Sequence, residues 1–258
     1  MVNAEFSAIY TVWLREMIRY VRAKERIITS IAQPIFWLLI FGTSIRMSVS
    51  VGTMDYQTFI APGIVVMAVM FTSMFSAISV IWDRELGFMK EMLVAPVSRI
   101  SIVVGKALGG ATTAVIQGVI IILLIFVIRS FTEYFSGVRI DAGIFLIVVP
   151  LMLLIALGMV GIGLAIASVL ESMEGFGMIM NFVIMPMFFL SGALFPLNNL
   201  PTGLKFVTYV DPVTYDVELM RHIMTGFSSI NVVVSFLAVL AFTCFTLLVG
   251  AYLFNRRS

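Results

Sequence analysis

Residues 142 to 170, AGIFLIVVPLMLLIALGMVGIGLAIASVL, contain no charged side chain. A helix needs about 20 consecutive apolar residues to cross a bilayer core of roughly 30 Å. Lipid offers no hydrogen-bonding partners to a free backbone, so a segment of this kind inside a membrane must be helical. The stretch therefore predicts a membrane-spanning helix, with some length left over for a loop or an interfacial turn.

The composition of the whole chain agrees with this prediction. Of 258 residues, 61% are hydrophobic and 12% are charged, whereas soluble domains carry about 25% charged residues. The net charge of +2 gives no indication of a nucleic-acid partner. The single cysteine, Cys244, excludes an intrachain disulfide and a cysteine metal cluster. The expected fold class is an all-α polytopic membrane protein.

Five further segments resemble residues 142 to 170, because each lies in or around a gap between charged residues that is long enough for a crossing. The chain, 1–258, is therefore expected to form a single transmembrane domain with six spans. Their predicted bounds are 27–47, 56–82, 104–128, 142–170, 175–196 and 227–254.

The cationic residues predict the orientation, because Lys and Arg are enriched in the cytoplasmic flanks of membrane spans. With six spans, eleven of the 16 Lys and Arg residues fall on the side of the two termini and five on the other side. Both termini are therefore predicted to be cytoplasmic.

Two segments are predicted to lie at the membrane surfaces. Residues 4–24 alternate aromatic and cationic positions at helical spacing, which is typical of a helix in the inner interface, with aromatic rings at headgroup depth and cations toward anionic lipid. Residues 197–222 are too polar to cross and too apolar for a plain loop. Pro201, Gly203, Asp211 and Pro212 divide them, so two short helical pieces in an outer re-entrant segment are expected.

Residues 82 to 99, WDRELGFMKEMLVAPVSR, form the most densely charged stretch. Trp82, Leu86, Met89 and Leu93 would share one face of a helix over 83–96. A solvated loop helix would show this pattern. So would a docking helix whose apolar face packs on the membrane domain and whose charged face meets a cytosolic partner, and the pattern alone does not separate the two.

The sequence provides no energy source of its own. No predicted span interior contains an ionisable residue, although ion-coupled carriers usually need such groups at membrane depth. The phosphate-binding GxxxxGK[ST] pattern is absent, as are a Ser/His/Asp pattern and a metal-ligand cluster. We therefore expect no catalytic, cofactor-binding or metal-binding residue in this chain. Any uphill transport would draw its energy from another chain.

Small polar side chains are the remaining candidates for a transport pathway. Four cluster on the second span and one lies on the fifth: Thr72, Ser73, Ser76, Ser79 and Asn181. Small residues at such spacing also mark faces on which helices pack closely, and the GxxxG pair Gly105 and Gly109 is an example. The lack of charge in the spans favours an amphipathic or hydrophobic cargo.

Several separated motifs, in this order, resemble the membrane subunits of bacterial and archaeal ABC exporters of the type-2 permease family. These motifs are WLREMIRYVR followed by QPIFWLLIFG, then YQTFIAPGIVVMAVM, then DRELGFMKEMLVAPVSR, and finally LSGALFPLNNLP through DPVTYDVELMRHIMTG. Met92 stands where the family usually has Leu, and Phe88 where a small Thr is common. The resemblance covers nearly the whole chain.

The resemblance implies that residues 83–96 are the coupling helix that fits a cleft on a separate ATP-binding subunit. The contact residues it implies are Asp83, Arg84, Glu85, Gly87, Lys90, Glu91, Leu93 and Pro96. It further implies two ATP-binding subunits, which bind ATP and Mg²⁺, and a second copy of the permease or a close paralogue, in the cytoplasmic (inner) membrane. A secondary carrier and a non-transport membrane scaffold are the alternatives from other functional classes.

Overall fold

The computed structural model describes residues 2–44, 54–94, 97–197 and 201–257, and within these ranges the regular structure is helical. In chain order the helices are α1 (Val2–Arg22), α2 (Lys24–Ser44), α3 (Tyr56–Ser76), α4 (Ile78–Glu85), α5 (Phe88–Val94), α6 (Arg99–Phe131), α7 (Ala142–Val169), α8 (Met173–Leu190), α9 (Thr202–Val210), α10 (Pro212–Thr225) and α11 (Val232–Arg257).

Five of the described helical segments are long and apolar enough to cross a membrane. They are Tyr56–Glu85, which combines α3 and α4, Arg99–Phe131, Ala142–Val169, Met173–Leu190 and Val232–Arg256. Helix α2 contains a shorter apolar stretch, Ile27–Leu38, and the predicted first span, 27–47, ends beyond the described part of this helix. The all-α prediction for a polytopic membrane protein is confirmed at this level.

Helix α3 is the centre of the bundle. Its residues are buried almost without interruption from Tyr56 to Met74, and it packs against α2, α6, α7 and α10. A helix that is apolar on all sides is satisfied only when other helices surround it. The charge-free sequence of this segment therefore reflects burial inside the protein as well as membrane depth.

Glycines on α7 allow neighbouring backbones to approach closely. A Cβ at Gly161 would lie 2.7 Å from the backbone carbon of Thr246 on α11, and one at Gly163 would lie 2.6 Å from the carbonyl oxygen of Met74 on α3. Small residues at such positions bring helices together by van der Waals packing. Helix α7 is thereby fixed between α3 and α11.

The segment before α11 contains a fully buried ion pair. The Arg221 guanidinium lies 2.5 Å from the Glu218 carboxylate and donates 2.8 Å to the carbonyl oxygen of Gly192, while its charge sits 4.0 Å from the centre of the Phe59 ring. Glu218 also accepts the backbone N–H of Ile230 at 3.2 Å. This pair ties α10 to α3, to the turn after α8 and to the turn before α11. The sequence did not indicate that these charges would be buried.

We expect Gly161→Ala to destabilise the bundle by about 1–3 kcal/mol, because the added methyl group meets backbone atoms that cannot rotate away. Gly177→Ala on α8 is the matched control. A Cβ there has no other atom within 4 Å, so the change should be neutral or stabilise by up to about 1 kcal/mol. The melting temperature of each purified variant measures both effects. Size-exclusion chromatography after heating follows the melting. Equal melting temperatures for the two variants would contradict the proposed close packing.

Candidate functional site

The charged stretch after the second span is two helices rather than one. Gly87 has a positive φ of 80°, and it separates α4, which ends at Glu85, from α5, which begins at Phe88. Glycine adopts this conformation without the steric cost that other residues meet. The predicted continuous helix over 83–96 is therefore wrong at this point. Leu86, expected on the packed apolar face, is 66% exposed, whereas Met89 is buried.

The residues predicted to contact a partner protein differ in their exposure to solvent. Glu85 is exposed, Arg84 is partly buried, and Asp83 is completely buried. Asp83 therefore differs from the prediction, since a side chain with no exposed surface cannot contact another protein directly in this conformation. The structure describes the backbone but not the side chains of Lys90, Glu91 and Leu93, and Pro96 lies outside the described residues.

The buried Asp83 carboxylate is held by three cations from two other helices. One oxygen accepts from Arg15 and, at 3.1 Å, from Arg19, both on α1. The other oxygen lies 2.5 Å from the ammonium of Lys106 on α6. Burying a carboxylate is costly unless charge and hydrogen bonds compensate it. Asp83 is thus the point at which α1, α4 and α6 are joined.

Close packing of α1 on α6 supports this cluster. A Cβ at Gly105 would lie 2.7 Å from the Val12 Cβ, and one at Gly109 would lie 2.7 Å from the Glu16 Cβ. The GxxxG pair of the third predicted span therefore packs against the N-terminal helix. Glu16 in turn lies 3.5 Å from the Lys106 ammonium and so shares this cation with Asp83.

These contacts correct two expectations about charge. Arg15 and Arg19 bind a carboxylate of the protein, although the sequence suggested that they face anionic lipid. Lys106 lies inside the predicted span 104–128 and is almost fully buried, so the span interior is not free of ionisable groups. The apolar side of α1 remains outward, with Phe6 and Tyr10 exposed, as expected of an interfacial helix.

The beginning of α1 is attached to the beginning of α6. Glu5 accepts hydrogen bonds from the Ser98 backbone N–H at 3.0 Å, from the Ser98 hydroxyl at 2.8 Å and from the Ser101 hydroxyl at 2.5 Å. The hydrogen bond from Ser101, followed by those from Ser98, lowers the pKa of Glu5. Ser98 also caps α6 through the Ser101 N–H. Helix α1 is therefore held at both ends of its contact with α6.

Helix α4 is also connected to the turn between α7 and α8. Arg84 donates to the carbonyl oxygen of Leu170 at 3.1 Å, and the Trp82 indole N–H points at the Met173 sulfur at 2.5 Å. A displacement of α4 would therefore change its contacts with α1 and α6 on one side and with the α7–α8 turn on the other.

A cavity of about 410 Å³ adjoins this junction. It lies between the end of α1, the first half of α2, the α3–α4 segment and α8. The lining includes four aromatic side chains: Tyr20, Phe71, Phe75 and Trp82. Its size falls in the range of small-molecule pockets, about 300–1,000 Å³.

The structure brings together some of the predicted pathway residues and not others. Thr72 and Asn181 line the 410 Å³ cavity, and Ser76 lines an adjacent cavity of about 40 Å³. Ser73 is buried and its hydroxyl donates to the Val69 carbonyl of its own helix at 2.7 Å. Ser79 accepts from the Lys106 ammonium at 3.3 Å and belongs to the Asp83 cluster.

Four polar lining residues were not identified from the sequence: Tyr20, Thr29, Ser30 and Gln33. The Tyr20 and Ser30 hydroxyls both donate to the Gln117 side-chain oxygen, at 3.3 and 3.0 Å. Gln117 lies inside the third predicted span, and these two partners lie on α1 and α2. The only available signal was the polar pair Gln33 and Ser30 at the start of an otherwise apolar segment.

The α9–α10 segment contains two buried carboxyl groups, Asp211 and Asp216. Burial raises the pKa of Asp211 to about 7. Burial, reinforced by the neighbouring Asp211, raises the pKa of Asp216 well above its usual range. Neither Asp216 oxygen has a hydrogen-bonding partner among the described residues. Both groups lie outside the candidate membrane spans.

A bundle of apolar helices with a charged, buried junction at one end defines the class, a polytopic helical membrane protein. The family model described as "ABC-2 type transporter" matches residues 7–225. The chain therefore belongs to the ABC-2 type transporter family and is the membrane subunit of an ABC transporter.

Curated relatives agree with this assignment. The chain is 29% identical to "Putative transport permease ycf38" of Cyanophora paradoxa, over 92% of this chain and 85% of that protein. It is 26% identical to "Nodulation protein J" of Rhizobium leguminosarum bv. viciae, over 95% and 93%. It is also 26% identical to "Probable multidrug ABC transporter permease YbhR" of Escherichia coli (strain K12), over 70% of this chain and 47% of that protein.

We expect Asp83→Asn to destabilise the protein by about 3–5 kcal/mol, because it removes the buried carboxylate that binds three buried or half-buried cations. Glu85→Gln, two residues further on at an exposed position, is the matched control and should change stability by less than about 0.5 kcal/mol. Melting temperature and the rate of proteolysis within α1 measure both effects. Adding Lys106→Met to Asp83→Asn should recover part of the loss, and a further loss would contradict the charge-balance explanation.

We expect the α9–α10 segment to lose stability as pH rises from about 4 to about 7. The folded-state pKa of Asp211 lies above the ordinary value of 3.8, so the folded chain binds more protons than the unfolded chain in this interval, and its stability falls as these protons leave. Asp211→Asn should make the fall less steep, with Asp216 accounting for the remainder, and should keep the cap on the Val213 N–H. Melting temperatures between pH 4 and pH 8 test this, and a parallel decline in the variant would contradict it.

Proposed function

We propose that residues 78–94 receive the motion of an ATP-binding subunit and pass it into the membrane helices through Asp83. The observation that supports this proposal is the junction of α1, α4 and α6 at Asp83. The segment exposes apolar side chains on its outside, with Leu86 66% and Val94 86% exposed, while Asp83 on its inside binds α1 and α6. Exposed apolar groups of this kind suit a protein interface.

The proposed arrangement places this chain in the cytoplasmic membrane with six spans, α2 included, and with both termini cytoplasmic. The excess of Lys and Arg on the side of the termini supports that orientation. In it, α9 and α10 form the outer re-entrant segment before the last span. The assembly contains two copies of this permease and two ATP-binding subunits.

The chemistry of ATP hydrolysis belongs to the partner in this proposal. The partner binds ATP and Mg²⁺, and this chain contributes no catalytic, cofactor-binding or metal-binding residue. Family membership supports the division, because the family comprises the permease subunits. ATP binding shifts the permease between conformations only if the partner complex binds one of them better. The coupling segment is where that difference in free energy acts.

The transported molecule is proposed to be amphipathic or hydrophobic and to leave the cell, as in multidrug export. The apolar walls of the 410 Å³ cavity support this class. Of the pathway residues identified from sequence, Thr72 and Asn181 are proposed to contact cargo directly, while Ser73, Ser76 and Ser79 act behind the cavity wall. The name of the Escherichia coli relative, a probable multidrug ABC transporter permease, is in keeping with a drug-like cargo.

We expect Leu86→Asp and Val94→Asp to weaken binding of the ATP-binding subunit at least about 10-fold, because each puts a charge into the apolar part of the interface. Phe131→Asp is the matched control: the side chain is 86% exposed at the far end of α6, on the proposed outer side. Co-purification from membranes and stimulation of ATPase activity measure the effect. Glu91→Arg should act like the two coupling-segment variants.

Two outcomes would contradict this assignment. One is full co-purification and ATPase stimulation in all three coupling-segment variants. The other is equal loss in Phe131→Asp, since a site on the opposite side should not affect partner binding. Melting temperatures of the free permease variants separate loss of the interface from loss of folding.

A further inference from the structure

The 410 Å³ cavity has walls of two kinds. One side is apolar and aromatic, formed mainly by the α3–α4 segment with Met67, Phe71, Phe75, Ile78 and Trp82. The Phe71 and Phe75 rings are stacked, with centroids 6.3 Å apart and planes at 13°. A flat apolar wall of this kind suits a planar aromatic body, which gains from offset stacking as well as from loss of contact with water.

The other side is polar and uncharged. Its hydrogen-bonding groups come from α1, α2, α3 and α8: Tyr20, Thr29, Ser30, Gln33, Thr72 and Asn181. Hydroxyl and amide groups of this kind fix the orientation of a bound molecule without requiring it to carry charge.

Of the described residues that line the cavity, none is ionised at neutral pH. Glu16 and Arg19 line the small neighbouring cavity, where Arg19 binds Asp83 and Glu16 lies 3.5 Å from the Lys106 ammonium. A charged ligand entering the larger cavity would lose water without gaining a counter-ion, which is strongly unfavourable.

A cluster of three aromatic rings lies farther along the two helices that border the cavity. Trp37 lies one turn beyond Pro34 on α2, and Phe188 and Phe189 lie two turns beyond Asn181 on α8. The Trp37 ring contacts Phe188 and Phe189 edge-on, with centroids 6.3 and 5.8 Å away. These contacts hold α2 and α8 together beside the cavity.

We propose that this cavity binds one molecule of a neutral aromatic amphiphile, with the aromatic body against Phe71 and Phe75 and the hydrogen-bonding group at Ser30 and Gln33. The inference rests on the proposed function for its role, because it names the class of cargo. The binding site itself is a property of this chain and is testable without the ATP-binding subunit.

Three photoreactive probes with one aromatic core provide the test. Each is a benzene ring with a trifluoromethyl-diazirinyl group at position 4. The three probes are the benzyl alcohol, the benzoate and the benzylammonium ion. The full chain in phosphatidylcholine nanodiscs is irradiated with each probe, and labelled peptides are quantified by mass spectrometry. Labelling of residues 67–82 is divided by labelling of the exposed face of α11, residues 233–245, which corrects for partitioning into lipid.

We expect this ratio to be at least about 5-fold higher for the alcohol than for the two charged probes, because neither charge finds a counter-ion in the cavity. Ala68→Phe and Asn181→Trp fill the cavity from two sides and should each abolish the preference. Ala241→Phe, the same change as the first at an exposed position on α11, should leave it intact. If Ala68→Phe does not fold, Asn181→Trp decides, since Asn181 is exposed.

Equal ratios for the three probes, or a preference that survives in a folded cavity-filling variant, would overturn the inference. Co-purification with the ATP-binding subunit and ATPase stimulation are measured on the same preparations without probe. Selective labelling without partner binding would refute the proposed function alone, and partner binding without selective labelling would refute the cargo class alone.

Discussion

The carboxylate of Asp83 is the interaction on which the rest of the described structure depends. It has no exposed surface, and its two oxygens are bound by Arg15 and Arg19 from α1 and by Lys106 from α6. Two sequence neighbours of this cluster, Tyr20 beside Arg19 and Trp82 beside Asp83, line the 410 Å³ cavity. The same contacts that hold the N-terminal helix therefore set part of the cavity wall. Under the proposed function, a movement of residues 78–94 would reach the cavity wall directly through Trp82.

The membrane helices were predictable because their signal is local. A run without charges longer than a bilayer crossing identifies a span whatever packs around it, and five of the predicted spans correspond to described helices that meet this criterion. The burial of these charges was not predictable, because it depends on partners that lie far away in sequence. Asp83 and Lys106, or Arg221 and the Gly192 carbonyl, are brought together only by the tertiary fold. The break at Gly87 is a third case, since the amphipathic period continues through it while the backbone does not.

The candidate pathway residues show the same limit of prediction from local sequence patterns. Spacing identified a polar face on the second span, but it could not indicate what covers that face. The Ser73 hydroxyl donates within its own helix, Ser76 lines the small neighbouring cavity, and Ser79 joins the Asp83 cluster. Only Thr72 of the four therefore lines the larger cavity. Tyr20 and Gln33 complete that cavity from helices that pattern analysis treated separately. A polar group inside a bundle becomes part of a site only where packing leaves a space beside it.

The buried charges also bear on how transport is energised. Their absence from the span interiors was the sequence argument against an ion-coupled carrier, and Lys106 removes that argument in its simple form. The positions of Asp83 and Lys106 provide a different argument against an ion-coupled carrier. Both Asp83 oxygens are occupied by cations of the same chain, and neither Asp83 nor Lys106 lines the cavity. A relay group must exchange its partners with water or cargo, whereas this pair is enclosed at the junction of α1, α4 and α6. Its geometry suits a fixed mechanical connection, and a mechanical connection requires an external source of motion. Membership of the ABC-2 type transporter family provides that source in an ATP-binding subunit.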